Sequence, residues 1–158
     1  MKCNMKQWVT DYINAPKKKA MPILSFPGVQ LIGHTVEELV RSGELQAQCM
    51  KAIADRFDTG VAFSLMDLSV EAEAFGAPVH YSEDEVPTVH GTLIHDEDEA
   101  DALKVPKVGD ARTGECVDGI RKASELIKDR PVLAGIIGPY SLAGRLLDMT
   151  ERDCFLQT

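Results

Sequence analysis

Two short stretches of the sequence carry residue types that could do chemistry, and the first is centred on Asp67. This aspartate directly follows the apolar run 61–66, and Glu71 lies four positions further on. A carboxylate at the end of a buried strand is half-desolvated, so its pKa can be tuned for acid–base work or binding. The alternative is structural, with Asp67 accepting hydrogen bonds from the amides of Ser69 and Val70 as a helix cap. If the role is chemical, we expect the Asp67 side chain to make neither of these bonds.

The second stretch is a turn of four residues, Gly138, Pro139, Tyr140 and Ser141, which follows the apolar run 131–137. A helix is predicted from about 141 to 149, and the free amides at a helix N-terminus bind anions such as carboxylate, sulfonate or phosphate. The alternative is a tight turn that needs its glycine for packing. The sequence has no G-x-G-x-x-G or G-x-x-x-x-G-K-[ST] pattern, which excludes a standard nucleotide-binding loop.

Histidines and cysteines do not form a recognisable metal or nucleophile motif. The four cysteines lie far apart with no C-x-x-C pair, so we expect reduced thiols rather than disulfides or a zinc finger. The four histidines are dispersed, and surface or structural roles are expected for them. His34 is kept as a candidate binding residue because it follows a segment rich in proline and glycine.

Charge is distributed unevenly along the 158 residues. The net charge is −8, which argues against binding to nucleic acids or to anionic membranes. Residues 57–103 contain twelve acids and no lysine or arginine, so this segment is a solvated acidic face, a metal site or a contact for a basic partner. No apolar run approaches the ~20 residues that span a bilayer, and no signal core is visible, so a cytoplasmic location is expected.

The pattern of elements predicts an α/β fold with a parallel sheet. The two apolar runs read as strands buried on both faces, and residues 77–95 read as irregular with short extended pieces. Thr35 and Glu38 form a capping-box pattern. A weakly structured lead-in is expected at 1–21 and an extended segment at 22–28, with helices at about 36–41, 44–57, 69–75, from Asp96, and at 113–129.

Four motifs resemble the uroporphyrinogen decarboxylase superfamily, and in particular its methylcobamide:coenzyme M methyltransferase branch. They are MDLSVEAEAFG (66–76), EVPTV (85–89), LKVP (103–106) and GIIGPYSLAGRLLD (135–148). The resemblance implies a (β/α)₈ TIM barrel, which needs ~250 residues. We therefore predict a partial barrel, an N-terminal portion with about three βα units at 22–158, preceded by the lead-in at 1–21.

Differences from the family's decarboxylases favour the methyltransferase branch. The decarboxylases carry an arginine-rich motif where this chain has 22–28 without arginine, and a tyrosine where it has Arg145. Their cavity aspartate matches Asp67, followed by Gly76. From the resemblance together with the residue patterns above, we predict Asp67 as the catalytic residue, with substrate binding by His34, Glu71, Gly138, Pro139, Tyr140, Ser141 and Arg145.

The resemblance also implies cofactors and partners for the full-length family. Its methyltransferases bind zinc through a His-x-Cys pair and a further cysteine, and take a methyl group from a corrinoid. The chain has no His-x-Cys pair, so no metal is expected in it. We predict a fragment with little activity alone, whose family acts on a small thiol and a corrinoid protein.

Two alternatives to this function remain open. One is a lyase of the uroporphyrinogen decarboxylase type that acts on a tetrapyrrole in porphyrin biosynthesis. The other is a non-catalytic half-barrel that assembles as a homo-oligomer or with a chain that complements the missing half. Strands 61–66 and 132–137 are too apolar to face water, so self-association is expected.

Overall fold

A computed structural model describes residues 4–147, and this part of the chain contains eight helices and four short strands. The α/β class is therefore confirmed. The helices are α1 (Met5–Asn14), α2 (Val29–Ile32), α3 (Val36–Val40), α4 (Gly43–Arg56), α5 (Val70–Ala74), α6 (Glu97–Ala102), α7 (Thr113–Leu126) and α8 (Pro139–Leu146). The strands are β1 (Ala62–Phe63), β2 (Val79–His80), β3 (Thr88–Val89) and β4 (Val132–Leu133).

Side-chain caps start α3 and α4, the two helices directly before β1. Thr35 and Glu38 form the predicted capping box at α3, in which each side chain accepts from the other residue's backbone amide. Ser42 accepts from the amide of Leu45 and caps α4. The predictions of helices at 36–41 and 44–57 are confirmed within one or two residues.

Strands β1 and β4 form a parallel pair at the centre of the fold. Ala62 faces Val132 and Phe63 faces Leu133. Arg130 lies just before β4 and holds the segment that leads into β1, because its Nη1 donates to the carbonyl oxygens of Phe57 and Thr59. Both strands consequently end on the same side of the sheet, as the α/β prediction requires.

The predicted strands at 61–66 and 131–137 are wrong in length, because regular pairing stops after two residues. Beyond Leu133 the next backbone donor, Gly135 N, bonds the side-chain Oγ of Ser64 at 2.7 Å instead of a backbone oxygen. Gly135 also passes so close to Met66 that a Cβ would lie 2.2 Å from Sδ. Residues 4–147 contain no closed barrel and only one parallel strand pair, so the barrel part of the prediction is not seen.

Helices α4 and α7 pack side by side against this strand pair, in close contact at two glycines. A Cβ on Gly43 would lie 2.6 Å from the carbonyl oxygen of Glu115, and one on Gly119 would lie 3.2 Å from the carbonyl oxygen of Gly43. Glycine is needed at both positions because the backbones themselves touch. The core between these helices and the strands includes Met50, Ala62, Ala123 and Ile127.

Two local predictions near the N-terminus are corrected by the structure. The weakly structured lead-in instead contains α1, which is capped by Asn4 and has no buried residue. The extended segment at 22–28 turns at Ser25–Gly28, where the backbone amide of Gly28 donates to the carbonyl oxygen of Leu24. Gly28 can turn there because it has no Cβ, which would lie 2.4 Å from Ile53 Cδ1.

The remaining elements agree more closely with expectation. A helix follows the turn at 138 but starts at Pro139, because proline suits the first helical position. The irregular region at 77–95 contains the antiparallel hairpin of β2 and β3, with Val79 facing Val89 and His80 facing Thr88. Within the described residues, none of the helices is long and apolar enough to cross a membrane.

Candidate functional site

A cavity of about 430 Å³ lies at the carboxyl ends of β1 and β4. Its walls are mostly apolar and come from the segments after both strands, from α5, from the first half of α7 and from the loop at 106–108. The volume lies within the range of small-molecule sites, and this edge of a parallel sheet is where such sites occur. The polar side chains that line it are Gln46, Ser64, Asp67, Glu71, Lys107, Thr113 and Cys116.

Asp67 lines the cavity, but its carboxylate is already bound on both oxygens. Oδ1 accepts from the backbone amide of Ser69 at 2.9 Å and from its hydroxyl at 2.6 Å. Oδ2 forms an ion pair with the guanidinium of Arg112. The Asp67 side chain has no exposed surface. As placed here, this carboxylate orders the turn before α5 and holds Arg112.

Of the two amide bonds that a chemical role of Asp67 was expected to exclude, the one from Ser69 is present. The bond to the Ser69 amide spans two residues and forms an Asx turn, the local arrangement that aspartate favours. It is not a helix cap in the predicted sense, because Ser69 itself occupies the N-cap position of α5. The role of Asp67 in chemistry stays a prediction.

Arg112 joins three parts of the site through one side chain. Besides its ion pair with Asp67, its Nε donates to Glu73 Oε2 at 2.5 Å and its Nη2 to Ser69 Oγ at 2.8 Å. Burial lowers the pKa of Arg112, but the bonds to Asp67 and Glu73 outweigh this and raise it. The guanidinium is thus a fixed cation, with a hydrogen bond from each of its three nitrogens to this cluster.

Tyr81 extends this network towards the hairpin. Its hydroxyl donates to Glu73 Oε1, and the guanidinium carbons of Arg41 and Arg112 lie 3.8 and 5.0 Å from its ring centre. Burial and the bond to Glu73 raise the pKa of Tyr81 to about 12. The hairpin of β2 and β3 is therefore tied to the same cluster as Asp67.

Glu71 differs from Asp67 because it has no ion pair among the described residues. Its Oε1 accepts a long bond of 3.4 Å from the amide of Ile137, just after β4. Cys116 lines the same cavity from α7, and burial raises the pKa of its thiol to about 11. The cavity therefore presents one lightly bound carboxylate and one neutral thiol within apolar walls.

The predicted turn at 138–141 lies beside the cavity and is exposed. Gly138 is the N-cap of α8 and Pro139 its first residue, and the side chains on either side of the turn, Ile137 and Leu142, line the cavity. Tyr140 and Ser141 are exposed, and Arg145 lies in the last turn of the helix. The structure thus places this turn next to Asp67 and Glu71, although Arg145 does not line the cavity.

His34 lies apart from the site. Its ring Nδ1 is 2.9 Å from Glu38 Oε2 at the start of α3, and the pair is exposed. Among residues 4–147 no group of three histidine, cysteine or acidic side chains could hold a metal ion. That the chain holds no resident metal stays a prediction.

Sequence reasoning missed Arg112, Glu73 and Tyr81. Arg112 is 45 positions from Asp67, and no motif links the two. One signal was available: the segment 57–103 has twelve acids and no base, so any buried acid in it must pair with a cation from outside the segment. Arg112 is one of the first such cations along the chain.

Comparisons with known proteins support the family and the fold. The sequence profile described as Uroporphyrinogen decarboxylase (URO-D) matches residues 15–153. The methylcobamide:CoM methyltransferase MtbA of Methanosarcina acetivorans is 27% identical over 121 residues, which cover 69% of this chain and 36% of that protein. The resemblance to the family and to its methyltransferase branch is confirmed.

A solved structure described as a methyltransferase from Methanosarcina mazei has the same fold over most of the chain. It superposes with a TM-score of 0.70 at 20% identity and covers 84% of this chain. The chain spans 39% of that protein and 36% of MtbA, which is less than two fifths of the length of either relative.

Proposed function

Because the chain belongs to the uroporphyrinogen decarboxylase family, we propose that it forms the N-terminal part of a (β/α)₈ barrel of the methyltransferase-like kind. The complete barrel would transfer a methyl group from a corrinoid substrate to a small thiol. The curated relative with this activity in its name, together with the fold likeness, supports the proposal. We further propose that the chain alone has little activity.

The observation that carries this proposal is the position of the cavity. It opens at the carboxyl ends of β1 and β4, the end at which TIM-barrel enzymes bind substrates. Its walls are mainly apolar, so a bound thiol would be shielded from water on the sides that these residues form. The amides at the start of α8 lie next to the cavity and suit an anionic group on such a substrate.

The two acidic residues take different parts in this proposal. Asp67 is held between Ser69 and Arg112, so it acts as a positioning residue that fixes the loop between β1 and α5. Glu71 has a lightly held carboxylate in the cavity and is the residue we expect to touch the substrate. His34 and Arg145, which do not line the cavity, would contact a substrate only outside it.

The donor set of the described residues does not fit the zinc ion that the family implies. No group of three suitable side chains occurs among residues 4–147, and the whole sequence lacks a His-x-Cys pair. We therefore derive no step through a metal. What residues 4–147 supply in this proposal is the shielded cavity, the fixed loop and the carboxylate of Glu71.

Substrate binding tests the proposal with the chain as it exists. Backbone amide NMR spectra would be followed while 2-mercaptoethanesulfonate, a thiol that carries a sulfonate, is added. We expect saturable shifts confined to the cavity segments at 66–75 and 137–142, and weaker binding in Glu71→Gln. Ethanesulfonate, which lacks the thiol, separates recognition of the sulfonate from recognition of the thiol.

The same titration addresses the lyase alternative. Saturable binding of uroporphyrin at the cavity, with no effect of the thiol, would favour a tetrapyrrole-binding protein and overturn the methyltransferase proposal. A thiol that shifts no cavity residue at any concentration would also count against it.

Assembly is a second proposal, because apolar side chains are exposed beside the cavity. Val105, Val108 and Ile136 are 84%, 86% and 76% exposed, and such a patch is normally covered. We propose that a second copy, or a chain that completes the barrel, covers it. Light scattering at micromolar concentration should give a mass above that of the monomer, and Val108→Lys should reduce it. A monomer at all concentrations would contradict the proposal.

A further inference from the structure

The hairpin of β2 and β3 carries two histidines on one face. His80 faces Thr88 in the ladder, and the amide of His90 donates to the carbonyl oxygen of Pro78, one step further along. Side chains alternate across a strand, so His80, Thr88 and His90 share a face. All three are exposed, whereas Val79 and Val89 on the opposite face are partly buried.

The two rings are already arranged as neighbours. Their centres are 5.3 Å apart and their planes meet at 85°. The Nε2 atom of His90 lies 3.4 Å from Thr88 Oγ1, two residues back along the chain, so this ring leans along β3 towards the residue that faces His80. Two imidazoles bound tetrahedrally to one ion at ~2.0–2.1 Å have ring centres about 5 Å apart. Both side chains are exposed and free to turn about χ1 and χ2, so rotation can bring one nitrogen of each ring to a shared ion.

The other two histidines of the chain have a different environment. His34 pairs with Glu38 at 2.9 Å, and His95 pairs with Glu99 at 3.1 Å; each histidine lies just before the helix that carries its glutamate. His80 and His90 have each other as ring neighbours instead. They also lie within the segment 57–103, whose twelve acids and lack of bases favour the approach of a cation.

We infer that His80 and His90 together bind one transition-metal ion of the kind that prefers imidazole, such as Ni²⁺ or Zn²⁺. The chain supplies two ligands and water completes the coordination, so the ion exchanges readily and is not a resident cofactor. This site is separate from the cavity and does not depend on the proposed function. Binding joins the two strands through the metal and so stabilises the hairpin.

Paramagnetic broadening by Ni²⁺ tests the inference on the full chain, because it reports only on nuclei close to the ion. At less than one equivalent of Ni²⁺, we expect the ring signals of His80 and His90 to broaden first, while those of His34 and His95 stay sharp. Equal broadening of all four histidines, or none at one equivalent, would overturn the site.

Matched substitutions give a second readout. Calorimetric titration with Ni²⁺ should show the affinity falling at least ~10-fold in both His80→Ala and His90→Ala, since each removes one of two linked ligands. His34→Ala and His95→Ala should leave it unchanged. If either control weakens binding as much as the hairpin variants, or the hairpin variants bind like the original chain, the inference is wrong.

Discussion

Replacing Arg112 with methionine removes the cation that holds the Asp67 cluster together. The change deletes the partner of a carboxylate with no exposed surface and one of the two partners of Glu73. Removing one member of a buried ion pair typically costs about 3–5 kcal/mol, because the other charge is left uncompensated. A domain has only ~5–15 kcal/mol of stability in total, so we expect a large fall in the urea midpoint.

Arg121→Met is the matched control for this experiment. Arg121 also pairs with two acids, but it is 57% exposed, and such pairs contribute about 0–1 kcal/mol. Unfolding would be followed by circular dichroism at one protein concentration for all variants. Adding Asp67→Asn to Arg112→Met should recover part of the loss by removing the unpaired charge. If Arg112→Met and Arg121→Met differ by less than about 1 kcal/mol, the cluster does not stabilise the fold as argued.

Three further predictions concern the backbone and the thiols. Ala111 has φ +46°, a left-handed conformation that costs energy for alanine, so Ala111→Gly should raise the free energy of unfolding by roughly 0.5 kcal/mol. The control Ala100→Gly in α6 should lower it by about 1 kcal/mol, and equal effects of the two changes in urea melts would argue against strain at Ala111. Gly119→Ala should cost about 1–3 kcal/mol because its Cβ would lie 3.0 Å from Gln46 Cβ and 3.2 Å from the carbonyl oxygen of Gly43, and a melt unchanged from that of Glu125→Ala would refute the close helix contact. Burial raises the pKa of Cys49 from 9.0 to about 11, so at pH 8 its alkylation, read by mass spectrometry, should be ~100-fold slower than in the urea-unfolded chain. Because the folded state keeps a proton that the unfolded state loses, the stability that this thiol contributes should fall by about 2–3 kcal/mol as the pH rises from 9 towards 11. Cys49→Ala should remove this share of the pH dependence and leave that of Cys116, whose pKa is also raised to about 11.

Helices could be predicted from the sequence where the pattern that indicates them lies in neighbouring residues. The capping box at Thr35 and the helical spacing in α4 are properties of neighbouring residues, and the structure confirms both helices. The α1 helix also had a local signal, since Met5, Trp8, Val9 and Tyr12 follow helical spacing after Asn4. The prolines and lysines that follow it are typical of an irregular segment, so composition masks that pattern.

The lengths of the strands and the ion-pair partner of Asp67 could not be predicted from neighbouring residues. Hydrophobicity marks a buried segment, but the point where pairing stops depends on Ser64 Oγ taking the amide of Gly135, a contact between distant segments. The partner of Asp67 likewise depends on where the loop before α7 returns to the sheet. Composition indicated that a cation must come from elsewhere, but it could not identify Arg112.

The parallel pairing of β1 with β4 has a consequence for how the chain folds. Ala62 and Val132 are separated by about 70 residues, so the sheet forms only after a long loop has closed. Contacts of this sequence separation slow folding, whereas the helices themselves form early from local signals. The contact between α4 and α7 spans a similar separation, 72 residues between Gly43 and Glu115, so we expect the helices to dock and the strands to pair in the same late step. The cavity would then be among the last features to appear, and mutations that line it would change the unfolding rate more than the folding rate.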